Sequence, residues 1–542
     1  MRAPLRSALA LLVLAPLALG QTNKSGGELI PEQACYDVAR YELALAIDPQ
    51  AQSIEGTLAM RARALAPSKR IALDLDDRLA VSSITLDGEP AEYEREGGRI
   101  WIATGEPLAA EQPFEVVVAY GGKPRVAPRP PWDGGFTWED GRTSAPWIAT
   151  SCQGEGADLW WPCKDHPSDE PESMALSITV PDGLVVASNG VLTGTSEADG
   201  LRTFHWEVGV PINNYAVALN VAPYVVIEDE YESVTGERVP VRFYALPQNE
   251  EQARAALPEF LDHMRHLEEV CGPYPFRAEK YGIAETPHLG MEHQTIIAYG
   301  NRYRVGRDGY DWLHHHELSH EWWGNLVTCR DWKDMWIHEG IGTYMQALYI
   351  ERKHGAEGYF AEMKDKRKGL RNQRPVAPRE SHDSKQIYFA PDGGHDNDIY
   401  FKGACIVHTL RWALGDETFF RVLRRWAYPD PALEKTTDGS ALRFSDTEEL
   451  LAIAERVAER ELDWFFETYL RRAELPALAS ELIGGKLELR WETETPFPMP
   501  VPVRIGDQIV RVDMSRGHAS VPVPAGAPVE LDPHGWLLRA DD

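Results

Sequence analysis

The chain reads WLHHHELSHEWWGN at residues 312–325 and WIHEG at residues 336–340. If the first stretch is a helix, His316 and His320 lie on one face, because side chains four residues apart are neighbours there. Glu339 follows His320 by 19 positions, so a second helix starting there could return its carboxylate to the two imidazoles. The two stretches therefore predict a site built from His316, His320 and Glu339.

Two imidazoles and one carboxylate are the donor set of a catalytic zinc site, because they leave a fourth coordination position open. Glu317 lies beside the first histidine and can take a proton from a water molecule at the metal. A polar helix with two surface histidines is the alternative interpretation. Trp322 and Trp323, which are apolar where the helix should enter a core, and the distant Glu339 favour a site for one Zn²⁺ ion.

Short alternating runs and turn residues dominate the chain up to about residue 226, as in the runs at residues 41–47, 114–118 and 214–219. This pattern is typical of antiparallel β-strands. We therefore expect an N-terminal β domain over residues 21–226 and count residues 214–219 as one of its strands.

Helical periodicity then takes over, at residues 249–270, 312–324, 340–354, 403–414, 416–426 and 446–470. Short strands return near the end, for example at residues 486–491 and 508–512. The expected fold is a multidomain α+β chain. A thermolysin-like, mainly helical catalytic domain spans residues 227–475, and a small β-sandwich spans residues 476–542.

The first 20 residues resemble a secretory signal peptide. Arg2 and Arg6 are followed by a short apolar run, and small residues precede a plausible cleavage site after Gly20. We expect an exported protein, periplasmic or extracellular. The six cysteines are sparse and lack metal-binding spacing, so they are expected to be structural.

The formal net charge is −29 among 542 residues. An acidic chain lacks the basic stripes that replace phosphate counterions, which argues against nucleic-acid binding. It is also repelled by anionic membrane surfaces, and no stretch after the N-terminus has the length and apolarity for stable membrane insertion. The acidity itself is most simply explained by solubility.

The spacing of the three candidate ligands resembles that of the aminopeptidase N family of gluzincins, which is HExxH, eighteen residues, then Glu. Residues 316–325 resemble the family's HExxHxWxGN, and residues 336–340 resemble its WLNEG. The resemblance implies a short, bacterial-type member without the C-terminal helical domain of larger relatives, and hence a more open cleft.

Residues 289–293, LGMEH, resemble the family's GxMEN motif. The resemblance implies that Glu292 binds the α-ammonium of the substrate, while Gly290 and Met291 lie beside the bound peptide. Leu289 and His293 depart from the motif, and their effect is left open.

Two further motifs follow from the same resemblance. Residues 400–403, YFKG, resemble YxKG, which implies that Tyr400 donates a hydrogen bond to the oxyanion. The segment around residues 152–165 resembles the end of the family's β domain, where a polar residue helps to bind the amine. Gln153 falls at that place, and Glu155 is the alternative.

The remaining histidines near the site are expected to have other roles. His314 and His315 are interpreted as supporting groups, His338 is expected to point away from the metal, and His408 to be a core histidine.

The predicted function is a zinc-dependent aminopeptidase that acts on peptides with a free N-terminus. A thermolysin-type zinc endopeptidase, which needs no amine anchor, and a non-catalytic zinc-containing peptide-binding protein remain alternatives. The preferred N-terminal residue, the cysteine pairing and the oligomeric state stay open.

Overall fold

A computed structural model describes residues 25–140 and 145–540. The predicted signal peptide, residues 1–20, lies outside the described residues, so export stays a prediction. No helix in the described ranges combines the length and the apolar character needed to cross a membrane.

The N-terminal part is almost entirely β-structure. After a short helix, α1 (Pro31–Ala34), come the strands β1 Tyr36–Asp48, β2 Ser53–Ala64, β3 Ser68–Asp74, β4 Leu79–Leu86, β5 Glu89–Pro90, β6 Tyr93–Glu96, β7 Arg99–Leu108, β8 Pro113–Gly122, β9 Gly135–Asp140, β10 Pro146–Ser151, β11 Ser173–Pro181, β12 Val185–Ala187, β13 Val191–Ala198, β14 Leu201–Val208 and β15 Asn220–Ala222.

These strands form three sheets. The largest has the order β13-β14-β11-β1-β2-β8-β4-β5, and smaller sheets have the orders β12-β15-β10-β9 and β3-β7-β6. Alternation explains the burial: along β1, Tyr41, Leu43 and Leu45 point inward while the residues between them are more exposed. Leu43 pairs with Leu58 of β2, so apolar faces coincide across the ladder.

The predicted strand at residues 214–219 is wrong. Residues Asn214–Ala216 form a 3₁₀ turn, and the strand begins only at Asn220. The side chain of Asn213 accepts a hydrogen bond from the backbone N–H of Tyr215, and Ala216 N–H donates to Asn213 C=O. A local side-chain cap therefore overrides the apolar alternation that favours a strand.

The catalytic part combines a small sheet with helices. Its elements are β16 Val225–Glu232, β17 Arg238–Ala245, α2 Glu250–Cys271, β18 Tyr281–Glu285, β19 Gly290–Met291, β20 Ile297–Tyr299, α3 Trp312–Ser319, β21 Val327–Cys329, α4 Trp336–Arg367, α5 Ser384–Tyr388, α6 Asp398–Leu414, α7 Asp416–Ala427, β22 Arg443–Ser445, α8 Thr447–Ala458 and α9 Asp463–Tyr469.

The sheet order is β16-β17-β18-β20-β19, which leaves the two-residue strand β19 at one edge. Strand β19 carries Gly290 and Met291, and it runs antiparallel to β20. Strands β21 and β22 form a separate parallel pair. The edge position of β19 leaves one side of this strand without a partner strand among the described sheets.

The helices differ from the predicted ones mainly at their ends. Helix α3 ends at Ser319, because residues 320–325 turn back toward β21. Helix α4 begins at Trp336 and runs to Arg367, with non-helical backbone angles at Gly355. The run predicted at residues 446–470 is divided into α8 and α9.

The C-terminal part consists of β23 Ala477–Ile483, β24 Lys486–Glu492, β25 Val501–Ile505, β26 Gln508–Val512, β27 His518–Pro522 and β28 Val529–Leu531. They form two three-stranded sheets with the orders β23-β24-β27 and β26-β25-β28. The predicted α+β class, a β domain followed by a helical catalytic domain and C-terminal β-sheets, is confirmed. The exact domain boundaries stay predictions, and β16 already belongs to the catalytic sheet.

The six cysteines lie within the described residues, and each is a buried free thiol. Burial raises the pKa of Cys271 and of Cys405 to about 12. Such thiols stay protonated and behave as small apolar groups, in line with the structural role expected for them.

Candidate active site

Helix α3 is short, and its neighbours hold it in place. The side chain of Asp311 caps its N-terminus by accepting a hydrogen bond from His314 N–H. The ring of His314 stacks on Phe260 of α2, with 3.7 Å between the centroids, and its Nδ1 lies 2.9 Å from Nδ1 of His263. The Tyr281 hydroxyl contacts the other ring nitrogen. His314 thus serves to fix the helix.

The three predicted metal ligands converge. The Nε2 atoms of His316 and His320 are 3.4 Å apart, and each lies 3.5 Å from Oε2 of Glu339. A regular tetrahedron with edges of this length has its centre about 2.1 Å from each corner, which is the bond length of Zn²⁺ to nitrogen and oxygen ligands. The spacing of the three atoms therefore fits a zinc ion with one open position.

Hydrogen bonds aim the donor atoms at that centre. His320 Nδ1 lies 2.8 Å from the carbonyl oxygen of Trp323, which leaves Nε2 as the metal-facing nitrogen. Tyr400 donates to Oε1 of Glu339 at 3.0 Å. Oε2 of Glu339 is buried and has no hydrogen-bond partner among the described residues. A metal ion would satisfy this buried oxygen.

Glu339 reaches the centre because α4 and α6 approach very closely. A Cβ placed on Gly403 would lie 2.7 Å from Cα of Gly340, and one on Gly340 would lie 2.9 Å from Cα of Gly403. Glycine at both positions lets the helix backbones touch. The contact brings Glu339 of α4 and Tyr400 of α6 to the same side of the metal centre.

The carboxylates around the centre differ in their protonation. Burial raises the pKa of Glu339, but its close contacts with His316 and His320 and their positive charge outweigh burial and hold that pKa well below its ordinary value. Burial and the negative charge of Glu292 raise the pKa of Glu317 well above the ordinary value, although His320 opposes the shift. Glu339 is thus suited to bind a cation, and Glu317 to carry a proton.

Glu317 lies against the edge strand β19. A Cβ built on Gly290 would overlap Oε1 of Glu317, so only glycine lets the strand pass this close to the carboxylate. The ligand atoms of Glu317, Glu292 and His320 lie within 4.8 Å of one another. Glu317 therefore lies close both to the predicted metal ligand His320 and to Glu292.

Glu292 is fixed to the turn that follows α3. The Asn325 side chain donates to the backbone oxygen of Glu292 and to Oε2 of Glu321, each at 3.1 Å. Oε1 of Glu321 accepts the backbone N–H of Thr295 at 2.9 Å. Burial raises the pKa of Glu292, the charge of Glu339 adds to the increase, and His320 opposes it. Through these hydrogen bonds, Glu321 and Asn325 hold Glu292 close to the C-terminal end of helix α3.

The two candidates for amine binding on the β domain have separate surroundings. The Gln153 side chain donates a hydrogen bond to Oε1 of Glu292. Glu155 points elsewhere, because its Oε2 accepts the backbone N–H of Gly134 and its Oε1 lies 3.5 Å from Arg125. The structure thus brings Gln153, and not Glu155, to Glu292.

The other histidines lie outside the metal centre. His338 accepts the backbone N–H of Cys329 through Nε2, as expected for a residue turned from the metal. His315 packs against Tyr349 with 4.8 Å between the rings. His408 is a core histidine, because the Tyr359 hydroxyl lies 2.6 Å from its Nδ1 and its Nε2 lies 3.0 Å from a carbonyl oxygen.

The predicted site residues line one cavity of about 730 Å³. Its wall includes the three metal ligands, Glu317, Tyr400, Glu292, Gln153, Gly290 and Met291. Sequence reasoning missed three residues that position them: Tyr388, which bonds to Gln153, and Glu321 with Asn325, which hold Glu292. Asn325 lies within the quoted motif HExxHxWxGN, but the spacing gave no sign of its partner. Tyr388 lies in no recognised motif.

Comparisons with known proteins agree with this geometry. A family model described as "Peptidase M1 N-terminal domain" matches residues 38–216, and one described as "Peptidase family M1 domain" matches residues 287–469. Together they cover about two thirds of the chain, and the second contains the three predicted metal ligands.

Curated relatives are distant and longer. Aminopeptidase M1-D of Oryza sativa subsp. japonica is 25% identical over 350 residues, 61% of this chain and 37% of the relative. Human endoplasmic reticulum aminopeptidase 1 is 25% identical over 369 residues, which are 63% of this chain and 38% of the relative. Mouse aminopeptidase B is 26% identical over 402 residues, which are 69% of this chain and 59% of the relative. The matched regions thus span less than two thirds of the length of each of these relatives.

Solved structures share the fold over nearly their whole length. An M1 zinc metallopeptidase from Deinococcus radiodurans has a TM-score of 0.65 and 24% identity, covering 84% of this chain and 96% of that one. A mutant of that enzyme bound to a Tyr-Ser-Ala substrate has a TM-score of 0.64 and 24% identity, and the match covers 82% of this chain and 95% of that one. With both family domains matched, the chain belongs to peptidase family M1, the aminopeptidase N family of zinc metallopeptidases.

Proposed function

We propose that the protein is a zinc aminopeptidase that hydrolyses the N-terminal residue from peptides. The observation that carries the proposal is the carboxylate of Glu292, buried in the cavity wall with its ligand atoms within 4.8 Å of those of Glu317 and His320. A fixed anion beside a metal centre can hold a terminal ammonium by charge, and its distance from the metal then sets which peptide bond is attacked.

His316, His320 and Glu339 would hold the zinc ion. When bound, zinc supplies Lewis-acid activation of water and of the scissile carbonyl group. The protein's own part is to orient these ligands, through Trp323 for His320 and through Tyr400 for Glu339.

Glu317 is the proposed general base. Its carboxylate takes a proton from the attacking water and later gives it to the leaving amine, which requires one group that can both accept and donate. Its carboxylate lies within 4.8 Å of the ligand atoms of His320, within reach of a water molecule at the metal centre.

Glu292 and Gln153 are the proposed anchors for the free amine, and Gly290 and Met291 the proposed lining beside the peptide backbone. Strand β19 is an edge strand, so an extended peptide can add to it by main-chain hydrogen bonds. Gln153 contributes a dipole without net charge, and the charge on the ammonium is balanced mainly by Glu292.

Tyr400 is the proposed donor to the oxyanion of the tetrahedral intermediate. Its hydroxyl donates to Oε1 of Glu339 and so lies next to the predicted metal ligands. Because a tyrosine hydroxyl has one proton, this bond is exchanged for one to the oxyanion as the intermediate forms. Burial, with the charge of Glu339 adding, raises the pKa of Tyr400 well above the ordinary value, so the hydroxyl keeps its proton. Donors of this kind contribute roughly 3–4 kcal/mol to the transition state.

Two other functions remain as outcomes of experiment. An endopeptidase needs no buried carboxylate beside the metal centre to bind a terminal amine, so the position of Glu292 argues against it. A binding protein without turnover needs neither Glu317 nor Tyr400 beside the metal ligands, yet both line the cavity.

Removal of zinc and removal of the base should have different effects. Dialysis against a chelator should abolish peptide hydrolysis, and added Zn²⁺ should restore it. Glu317→Gln should keep one zinc ion per chain, because residue 317 is not a ligand, while kcat falls roughly 10²–10⁴-fold. Metal content by atomic absorption and hydrolysis rates decide the matter: loss of zinc from the variant, or a nearly normal kcat, would contradict the assignment of Glu317.

A further inference from the structure

Three side chains from separate parts of the chain form a hydrogen-bonded series that ends at Glu292. The Tyr388 hydroxyl, at the end of α5, donates to Oε1 of Gln153 at 2.8 Å. Nε2 of Gln153 donates to Oε1 of Glu292. All three residues line the cavity. The amide of Gln153 thus lies between a hydroxyl and a carboxylate.

Only one orientation of that amide suits both neighbours. A carboxylate accepts hydrogen bonds and cannot donate them, so Glu292 requires the NH₂ end of Gln153. The oxygen end then faces residue 388, where a tyrosine hydroxyl can donate to it. With the amide reversed, its oxygen would lie against the carboxylate oxygen of Glu292, and the two would repel each other.

Helix α5 is tied to the loop that carries Gln153. The Ser384 hydroxyl donates to the backbone oxygen of Gly154. The backbone N–H of Ser384 donates to Ser25 C=O at 3.0 Å, and Asp383 with Gln386 forms a capping box at the start of α5. Tyr388 therefore approaches Gln153 from a helix that is itself fixed beside residue 154.

The chemical state of the tyrosine suits a donor. Burial raises the pKa of Tyr388 well above its ordinary value, and the charges of Glu339 and Glu292 add to the increase. The hydroxyl therefore keeps its proton. The Tyr388 hydroxyl donates to Gln153, whereas the Tyr400 hydroxyl donates to Glu339.

We propose that Tyr388 is a positioning residue for recognition of the substrate's N-terminal amine. It holds the Gln153 amide with one N–H on Glu292, so that the remaining acceptor sites of Gln153 Oε1 and of the Glu292 carboxylate meet the ammonium in a fixed register. This inference rests on the proposed aminopeptidase function, because it gives Tyr388 a role only through the amine site.

The consequence is a specific effect on binding. Without the hydroxyl, the Gln153 amide can rotate, and its oxygen is no longer held for the ammonium. Loss of one neutral hydrogen bond of this kind corresponds to about a 3- to 10-fold weaker affinity for a free amine. A peptide whose amine is acetylated does not use these acceptors, so its affinity should be unaffected.

A double-mutant cycle on the zinc-loaded full chain tests the inference. The variants are Tyr388→Phe, Gln153→Ala and the two combined. The probes are L-leucinol, a free amine without a scissile amide bond, and N-acetyl-L-leucinol, with dissociation constants from calorimetry. Tyr388→Phe should weaken L-leucinol binding about 3- to 10-fold in the Gln153 background and by less than about 2-fold in the Gln153→Ala background. KM for a peptide with a free N-terminus should rise in parallel, while kcat changes by less than about 2-fold.

The matched control is Tyr93→Phe, which removes a half-buried hydroxyl that donates to Val81 C=O in the β domain. It should leave both dissociation constants unchanged. An equal effect of Tyr388→Phe in both backgrounds, an equal effect on the acetylated probe, or an effect on kcat alone would overturn the inference. Because the primary readout is binding, wild-type protein that binds L-leucinol without hydrolysing peptides would count against the proposed function and not against the role of Tyr388.

Discussion

Gly290 is constrained by the side chains of Glu317 and Leu313. A Cβ at this position would overlap Oε1 of Glu317 and would lie 2.8 Å from Leu313 Cδ1. Gly290→Ala should therefore push the carboxylate of Glu317 away from the reacting water. A displacement of about 1 Å at a catalytic group costs roughly 10²-fold in rate, so kcat should fall by that order.

Zinc content separates this effect from damage to the metal centre. Gly290 is not a ligand, so Gly290→Ala should retain one zinc ion. Gly194→Ala is the matched control, because a Cβ there meets nothing within 4 Å and kcat should not change. An unchanged kcat in Gly290→Ala would mean that Glu317 need not occupy the position described here.

Residues with regular spacing could be predicted from the sequence, and residues with distant partners could not. His316 and His320 are four apart on a helix, so the sequence alone places them side by side. The contact between Tyr388 and Gln153 joins residues 235 positions apart, and no local pattern encodes it. Gln153 and Glu155 could not be separated by counting, because their side chains are distinguished only by the packing of Gly134 and Arg125.

The crossing of α4 and α6 governs the metal centre at the scale of elements. Each helix offers a glycine, Gly340 and Gly403, and each glycine would place a Cβ on the backbone of the other. Alanine usually stabilises a helix interior relative to glycine, by about 1 kcal/mol. Here the neighbour is backbone that cannot move aside, so the cost of overpacking, about 1–3 kcal/mol, should exceed that gain.

Gly403→Ala should therefore lower the free energy of unfolding by about 1–2 kcal/mol and also lower kcat, because the helices separate and Tyr400 withdraws from Glu339. Urea unfolding followed by tryptophan fluorescence, with kcat measured in parallel, checks both effects. A variant more stable than wild type with full activity would show that the helices have room at this crossing.

The elements that the sequence predicts correctly are those whose local preference agrees with their packing. Helix α2 was predicted at residues 249–270 and runs Glu250–Cys271. The failure at residues 214–219 arose because the Asn213 side chain captures a backbone N–H, which apolar alternation does not reveal. The early start of α4 at Trp336 also depends on tertiary contacts, since the Trp336 side chain donates to Thr447.

Buried histidines make the stability of the whole molecule depend on pH. Burial lowers the pKa of His266, His293 and His408 to about 3 and that of His288 to about 4, from 6.5. Between those values and pH 6.5 the unfolded chain binds protons that the folded chain does not. This contribution to stability is complete above pH 6.5 and is lost as the pH falls toward 3–4.

His408 offers a test because it joins α6 to the carbonyl oxygen of Gly535 and stacks on Trp536. Between pH 7 and pH 5, protonation of His408 in the unfolded chain should lower the free energy of unfolding by about 2 kcal/mol. His408→Gln should have a lower free energy of unfolding than wild type at pH 7. At pH 5 the difference between the two proteins should be smaller by about 2 kcal/mol, because the variant has no imidazole to protonate. Urea unfolding at both pH values measures the gap. His518→Gln, at an exposed position, is the control, and a gap that stays constant with pH would contradict the prediction.

The order of the domains could be predicted from hydrophobic periodicity, because runs with strand-like alternation and runs with helical spacing occupy separate parts of the chain. The sheet topology could not be predicted in the same way. In the largest sheet β1 pairs in parallel with β11, and Arg40 opposes Ser173, so the pairing depends on contacts between distant segments. The cleft likewise forms only when Gln153 of the β domain meets Glu292 of the catalytic part.

We propose that the buried carboxylate of Glu292 in the cavity wall makes the enzyme specific for a free N-terminus. The most direct test compares hydrolysis of one peptide in its free and N-acetylated forms by the zinc-loaded protein, with Glu292→Gln measured alongside. The account predicts cleavage of the free form only, at its first peptide bond, with a large rise in KM in the variant. Equal cleavage of both forms would contradict the account and assign the protein to the endopeptidases.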